Sequence, residues 1–241
     1  MAPMRINAVW AAAAGVLAAG SAWAQGAAAT TANTGQSLEE LFERGGPLMW
    51  PILLCSVVMV AFIFERWIGL RHSRIFPSKL HERLVGLARA GRLEEALEAC
   101  RTGRSEFARL VGGGLARAES GGFEMEAGLE EEGGRVLYNL RSNCKPLAIV
   151  ADVAPLLGLM GTVTGMIKAF DVVAKSNALG RTELLAEGIS EALLTTAFGM
   201  AVAVPSVIVY HVFRIRAENL LREMEDAALE IVAAMRKGLK R

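Results

Sequence analysis

An all-α membrane protein is the fold class this sequence predicts, and three observations predict it. Its hydrophobic residues, 53% of 241, are bunched into long blocks rather than spread in short periodic stretches. Three blocks are each long enough to cross a hydrocarbon layer of roughly 30 Å as a helix, for which about 20 residues suffice. Most of the charge, 21% of the chain, lies between them. Three spans cannot close a barrel, so helices are the only way across. A net charge of +1 gives no case for nucleic acid as a partner. Zinc-type Cys/His spacing, a phosphate-loop glycine pattern and a nucleophile elbow do not appear, so the reading includes no enzyme, no metal and no cofactor.

The elements follow in order. Residues 1–24 read as a signal peptide: Arg5 supplies a positive start, an Ala-rich apolar core follows, and Ala22-Trp23-Ala24 gives a small-x-small cleavage site. Residues 25–46 begin with the low-complexity run QGAAATTANTGQS and form an exported N-terminal segment. The first span is 47–69. A helical segment, 70–145, separates it from the second span, 146–170. A short loop, 171–187, leads to the third span, 188–213, and a helical tail, 214–241, closes the chain.

Orientation comes from the basic flanks. Arg66, Arg71 and Arg74 follow the first span, Arg141 and Lys145 precede the second, and Arg214 and Arg216 follow the third. By the positive-inside rule all three ends face the cytoplasm, which puts the N-terminus and the 171–187 loop in the periplasm. Lys168 lies near the outer end of the second span, where its stem can snorkel to the headgroups. Asp152, near the inner end, reads as interfacial.

The 70–145 segment has apolar residues at helical spacing, with Gly91 as a break between two helices. Its charges are interleaved, and Glu130-Glu131-Glu132 reads as a solvated helix start rather than a metal site. In the tail, Leu220, Met224, Ala227, Ile231 and Ala234 form a stripe suited to packing on a helix. Cys55, Cys100 and Cys144 lack metal spacing and read as packing residues.

The second span, APLLGLMGTVTGMIKAF from residue 154, holds more than an anchor needs. Ala154, Gly158, Gly161 and Gly165 make a small-residue stripe along which another helix can approach closely. Pro155, and Pro205 in the third span, each remove a backbone donor. Thr162 and Thr164 can return their hydroxyls to carbonyls or bond across helices. In the third span Glu191, Thr195, Gly199 and Ala203 share one face, with Thr196 beside it. A carboxylate within a span faces a protein interior or water, and here that suits either a proton path or a hydrated interfacial glutamate.

Three motifs in order resemble the MotA/TolQ/ExbB proton channel family. APLLGLMGTVTGMIKAF (154–170) is similar to its second-span signature, LAEGISEALLTTAFGMAVAVPSVIVYH (185–211) to its third, and FERWIGLR (64–71) to its acidic-basic motif after the first. The likeness spans roughly residues 38–235, with the ExbB branch first and TolQ second. It implies a homo-oligomeric ring, by resemblance a pentamer, in the bacterial inner membrane. The second and third spans would line a pore around the single span of an ExbD- or TolR-like partner. A TonB-like protein would receive the work, and lipid would surround the ring. By position in the motifs, Glu191, Thr162 and Thr196 match the family's pore-facing polar residues, with Thr195 on the Glu191 face; Pro155, Gly158, Gly161, Gly165, Gly199 and Pro205 serve helix packing. His211 stands where the family often has asparagine. A membrane scaffold without ion flux is the reading from another class.

Overall fold

The structure is a computed structural model, which describes residues 38–175 and 182–238. The expected signal peptide, the low-complexity run and the middle of the 171–187 loop lie outside the described residues. Among these residues every regular element is helical. The helices are α1 (Leu38–Arg44), α2 (Met49–Gly69), α3 (His72–Ile75), α4 (Ser78–Arg89), α5 (Leu93–Thr102), α6 (Glu106–Leu115), α7 (Gly122–Ser142), α8 (Lys145–Lys175) and α9 (Thr182–Gly238). The chain divides into two compact units, one built from residues up to Phe64 with Lys145–Val212, the other from Glu65–Cys144 with Phe213–Arg241.

The first unit carries the apolar helices. α2, α8 and the first half of α9 are long and apolar enough to cross a membrane. Their shared core is thin: Ile52 of α2, Val150 and Ala154 of α8, and Val202 and Ala203 of α9, flanked by Cys55, Val58, Met59, Leu157 and Phe198. The opposite faces are apolar and outward. Trp50, Leu54, Phe64, Leu156, Ile167 and Leu193 are all exposed. In a soluble protein such faces would be a liability; in a bilayer they meet lipid, which is as apolar as leucine. α1 joins α2 through Gly46, whose φ of 70° is left-handed and favours glycine. Phe42 meets Trp50 edge-to-face across that turn, with ring centroids 5.3 Å apart.

The second unit is a helical bundle with an ordinary buried core. Leu84 and Ala88 of α4, Ala96 of α5, Phe107, Leu110 and Val111 of α6, and Met125, Leu129 and Val136 of α7 are buried. Gly91, with φ 70°, separates α4 from α5 where a break was expected. Ser105 caps α6 by accepting a hydrogen bond from the Ala108 N–H at 3.2 Å. α6 and α7 cross at glycines: a Cβ on Gly128 would stand 2.5 Å from the Gly113 carbonyl oxygen. Burial pushes the Cys100 thiol up to about 11, so it stays a protonated packing group.

The third apolar stretch and the tail after residue 213 are one helix, α9, which runs unbroken for 57 residues. One expectation about the tail needs correction. Its buried stripe is Ala217, Leu220, Met224, Ala228, Ile231 and Met235; Ala227 and Ala234 are only half-buried. The expected stripe slipped by one residue because alanine is small enough to serve on either side of a helical face. Polar contacts pin this tail within its unit: Glu218 takes Arg141 and Arg214, His72 meets Glu223 at 3.0 Å, and the Arg216 Nε donates to the Leu70 carbonyl at 3.3 Å.

Candidate functional site

The site lies in the first unit, on the seam where α8 and α9 run antiparallel. The sequence sets that seam by placing small residues one helical turn apart on both helices. Ala154, Gly158, Gly161, Gly165 and Ala169 of α8 face Gly199, Thr195, Ala192 and Gly188 of α9. The backbones come close enough to exclude side chains. A Cβ on Gly199 would stand 2.7 Å from the Ala154 carbonyl oxygen, and one on Gly165 would stand 2.8 Å from the Gly188 carbonyl oxygen. A Cβ on Gly158 would stand 3.1 Å from both the Thr195 carbonyl oxygen and the Thr196 Cα. Gly188, Ala192 and Ala169 are part of the seam although the glycine pattern of α8 alone did not point to them. Their signal was present in the spacing 188-192-195-199 on the facing helix. Pro155 and Pro205 are half-buried within helices that continue through them.

The hydroxyls divide between the seam and its edge. Thr195 is fully buried; its Oγ1 donates to the Ala192 and Glu191 carbonyls at 3.0 and 3.1 Å, and it fills the space at Gly161. Thr195 therefore packs inside the seam. Thr196 is half-buried and its Oγ1 reaches across to the Gly158 carbonyl at 3.2 Å, and to Ala192 in its own helix at 3.2 Å. In an α-helix that same Gly158 carbonyl pairs with the Thr162 N–H. The Thr196 hydroxyl thus shares a carbonyl with the backbone of Thr162, not with its hydroxyl. The Thr162 Oγ1 donates to Leu159 at 2.7 Å, and Thr164 bonds back to Met160 at 3.0 Å, as expected for hydroxyls in an apolar helix. Thr162 also begins a shallow apolar groove continued by Val163, Met166, Ile167 and Phe170.

Glu191 takes the partner of its carboxylate from the facing helix. Its side chain is 13% exposed and its Oε1 accepts from the Lys168 Nζ at 2.5 Å. Lys168 was expected to snorkel away to headgroups; instead it crosses the seam. The carboxylate also lies against the α1–α2 turn, where a Cβ on Gly46 would stand 2.1 Å from Oε1. His211 is exposed and stacks its ring edge against Tyr210 at 5.2 Å. Asp152 is exposed, in keeping with an interfacial position. Among the described residues, no three His, Cys, Asp or Glu side chains converge to hold a metal. Glu130, Glu131 and Glu132 lie midway along α7 and not at the helix start expected of them; Arg117 and Arg135 engage Glu131, and Arg135 engages Glu132.

Comparison with known proteins points the same way as the seam. The sequence profile of the MotA/TolQ/ExbB proton channel family matches residues 101–226, just over half of the chain. The ExbB-like 1 biopolymer transport protein of Synechocystis is 33% identical over 180 residues, covering 71% of this chain and 68% of that protein. Biopolymer transport protein exbB1 of Vibrio cholerae is 28% identical over 206 residues, covering 79% and 85%. The Tol-Pal system protein TolQ of Haemophilus influenzae is 41% identical over 87 residues, but covers only 36% and 37%.

Proposed function

This chain belongs to the MotA/TolQ/ExbB proton channel family, and on that premise we propose that it is the ring-forming subunit of an inner-membrane motor driven by the proton gradient. α8 and the first half of α9 line the pore of a homo-oligomer, a pentamer on the family pattern. The pore encloses the single span of an ExbD-like partner, and a TonB-like protein carries the work to outer-membrane transport. Residues 25–46 and the 171–187 loop lie in the periplasm, and 70–145 with 214–241 lie in the cytoplasm. Glu191, Thr162 and Thr196 are the polar positions of the pathway. The observation that carries this reading is the edge of the seam, where the Thr196 hydroxyl reaches across to the Gly158 carbonyl and the Thr162 hydroxyl bonds to Leu159 on the same helix, in an otherwise apolar wall. Hydroxyls there lower the cost of a charge or proton carried by a partner span in a dry pore. The broader coverage of the ExbB-type relatives favours an ExbB-like role. The higher local identity to TolQ supports a second reading, a TolQ-like subunit of an envelope system.

The test is complementation of a host lacking this chain, with activity normalised to oligomer in the membrane. Glu191→Ala and Thr162→Val are expected to abolish coupling while assembly survives. Wild-type coupling by both variants at normal level overturns the reading in favour of a scaffold without ion flux. Mass spectrometry of what co-purifies in mild detergent, a TonB-like or a Tol-Pal-like protein, decides the branch.

A further inference from the structure

We propose that Lys168 is a positioning residue for Glu191: its ammonium holds the carboxylate against the Gly46 turn. The inference rests on the reading of Glu191 as a pathway residue and adds a partner to it from within the same chain. Three elements meet at this point. Lys168 lies on α8, Glu191 on α9 and Gly46 at the start of α2. The reach between the two charged groups is set by the seam, since Gly165 lies on Gly188 and Ala192, and Ala169 on Gly188, with no larger side chain between the helices. That closeness lets the lysine stem cross and its Nζ come to 2.5 Å from Oε1. A charge-assisted hydrogen bond of this kind is directional as well as attractive, so it fixes the rotamer of the carboxylate.

Gly46 forms the opposing wall. Its φ is 70°, and any Cβ would overlap the Oε1 position. The glycine is therefore needed both for its backbone and for the space it leaves. Exposure is uneven across the pair: the glutamate is 13% exposed and the lysine 51%. The carboxylate is the held member and the ammonium the one free to swing away. A buried carboxylate deprived of its cation is strongly disfavoured in an apolar surround. Lys168 thus determines both where Glu191 points and the condition under which it can be released.

The experiment compares Lys168→Met, Lys168→Arg, Gly46→Ala and Glu191→Ala in the full chain, in the complementation assay normalised to membrane oligomer. Lys168→Met and Gly46→Ala are expected to lose about tenfold or more of coupling per oligomer, and Lys168→Arg to stay within about twofold of wild type. Rescue by arginine separates a positioning charge from a packing stem. Wild-type coupling by Lys168→Met beside an inactive Glu191→Ala overturns this proposal and leaves the pathway reading intact; wild-type coupling by Glu191→Ala overturns the pathway reading itself. Arginine as impaired as methionine also overturns the proposal. Should Lys168→Met reduce the oligomer, the pair Lys168→Met with Glu191→Gln is the deciding variant. Recovery of level supports the charge pairing, and continued loss overturns it.

Discussion

Gly161 faces Thr195, and the two illustrate how single residues set the seam. Thr195 is β-branched and fully buried, so it cannot yield when a methyl group is added opposite it. A Cβ on Gly161 would stand 2.0 Å from its Oγ1 and 2.4 Å from its Cβ. Gly161→Ala must therefore separate the helices, at a cost of about 1–3 kcal/mol for overpacking. Gly199→Ala meets backbone, the Ala154 carbonyl, and is expected to cost as much. Gly134→Ala in α7 is the control: nothing lies within 4 Å of the added methyl, and it is expected to be neutral or to stabilise by about 0.5–1 kcal/mol through helix propensity. Thermal denaturation of the detergent-purified oligomer, with loss of the oligomer peak as the signal, measures all three. Equal midpoints for Gly161→Ala and Gly134→Ala would remove the close-approach argument. Thr195 itself also separates what spacing conveys from what it does not. Four-residue spacing placed it on the Glu191 face, but only the partner helix could reveal that this face is closed by Gly161. The Lys168–Glu191 pair was hidden for the same reason, since the two are 23 residues apart on different helices.

At the scale of elements, α6 and α7 show how the helical segment between the spans holds itself together. Their glycines let the backbones cross, and the rim of that crossing is charged. The Arg117 hydrogen bond and charge, with Arg135 behind it, hold the Glu131 carboxylate below its ordinary value. A carboxylate lowered in the folded state contributes stability that is present above its unfolded value, near 4.5, and is lost as pH falls through the lower folded value. Glu131→Gln is accordingly expected to lower the denaturation midpoint at neutral pH and to match wild type once the pH is well below 4.5. The group is solvent-exposed, so the difference is expected to shrink in high salt. A wild-type acid limb unchanged by the substitution at every pH would contradict it. The helices themselves were legible in the sequence wherever one physical demand dominated. Apolar length announced α2, α8 and the membrane part of α9, and Gly91 announced the α4–α5 break. The continuity of α9 was not legible, because charge after Val212 looks the same whether a helix stops or only leaves the lipid. The stripe reads one residue off at Ala227 and Ala234, because alanine fits either side of a helical face, although Ala228 and Met235 are the buried residues.

For the whole molecule, the question is which side of the membrane each unit occupies, and it is open to direct measurement. The apolar faces of α2, α8 and α9 commit the first unit to lipid, while the second has an ordinary core and a charged rim. Arg66, Arg71, Arg74, Arg141, Lys145, Arg214 and Arg216 flank the apolar stretches in the sequence on the side of Glu65–Cys144 and of the end of α9. By the positive-inside rule those segments are expected in the cytoplasm. Lys168 and Glu191 then fall toward the opposite face, where they neutralise one another, and do not compete with the basic cluster for orientation. Single cysteines report this directly, in a chain with Cys55, Cys100 and Cys144 replaced by alanine. Phe123, 82% exposed in α7, and Val173, 54% exposed near the end of α8, are suitable positions. In intact spheroplasts a membrane-impermeant maleimide is expected to label Val173→Cys without lysis and Phe123→Cys only after permeabilisation. The reverse pattern would invert the chain. The Lys168–Glu191 pair would then lie on the cytoplasmic side.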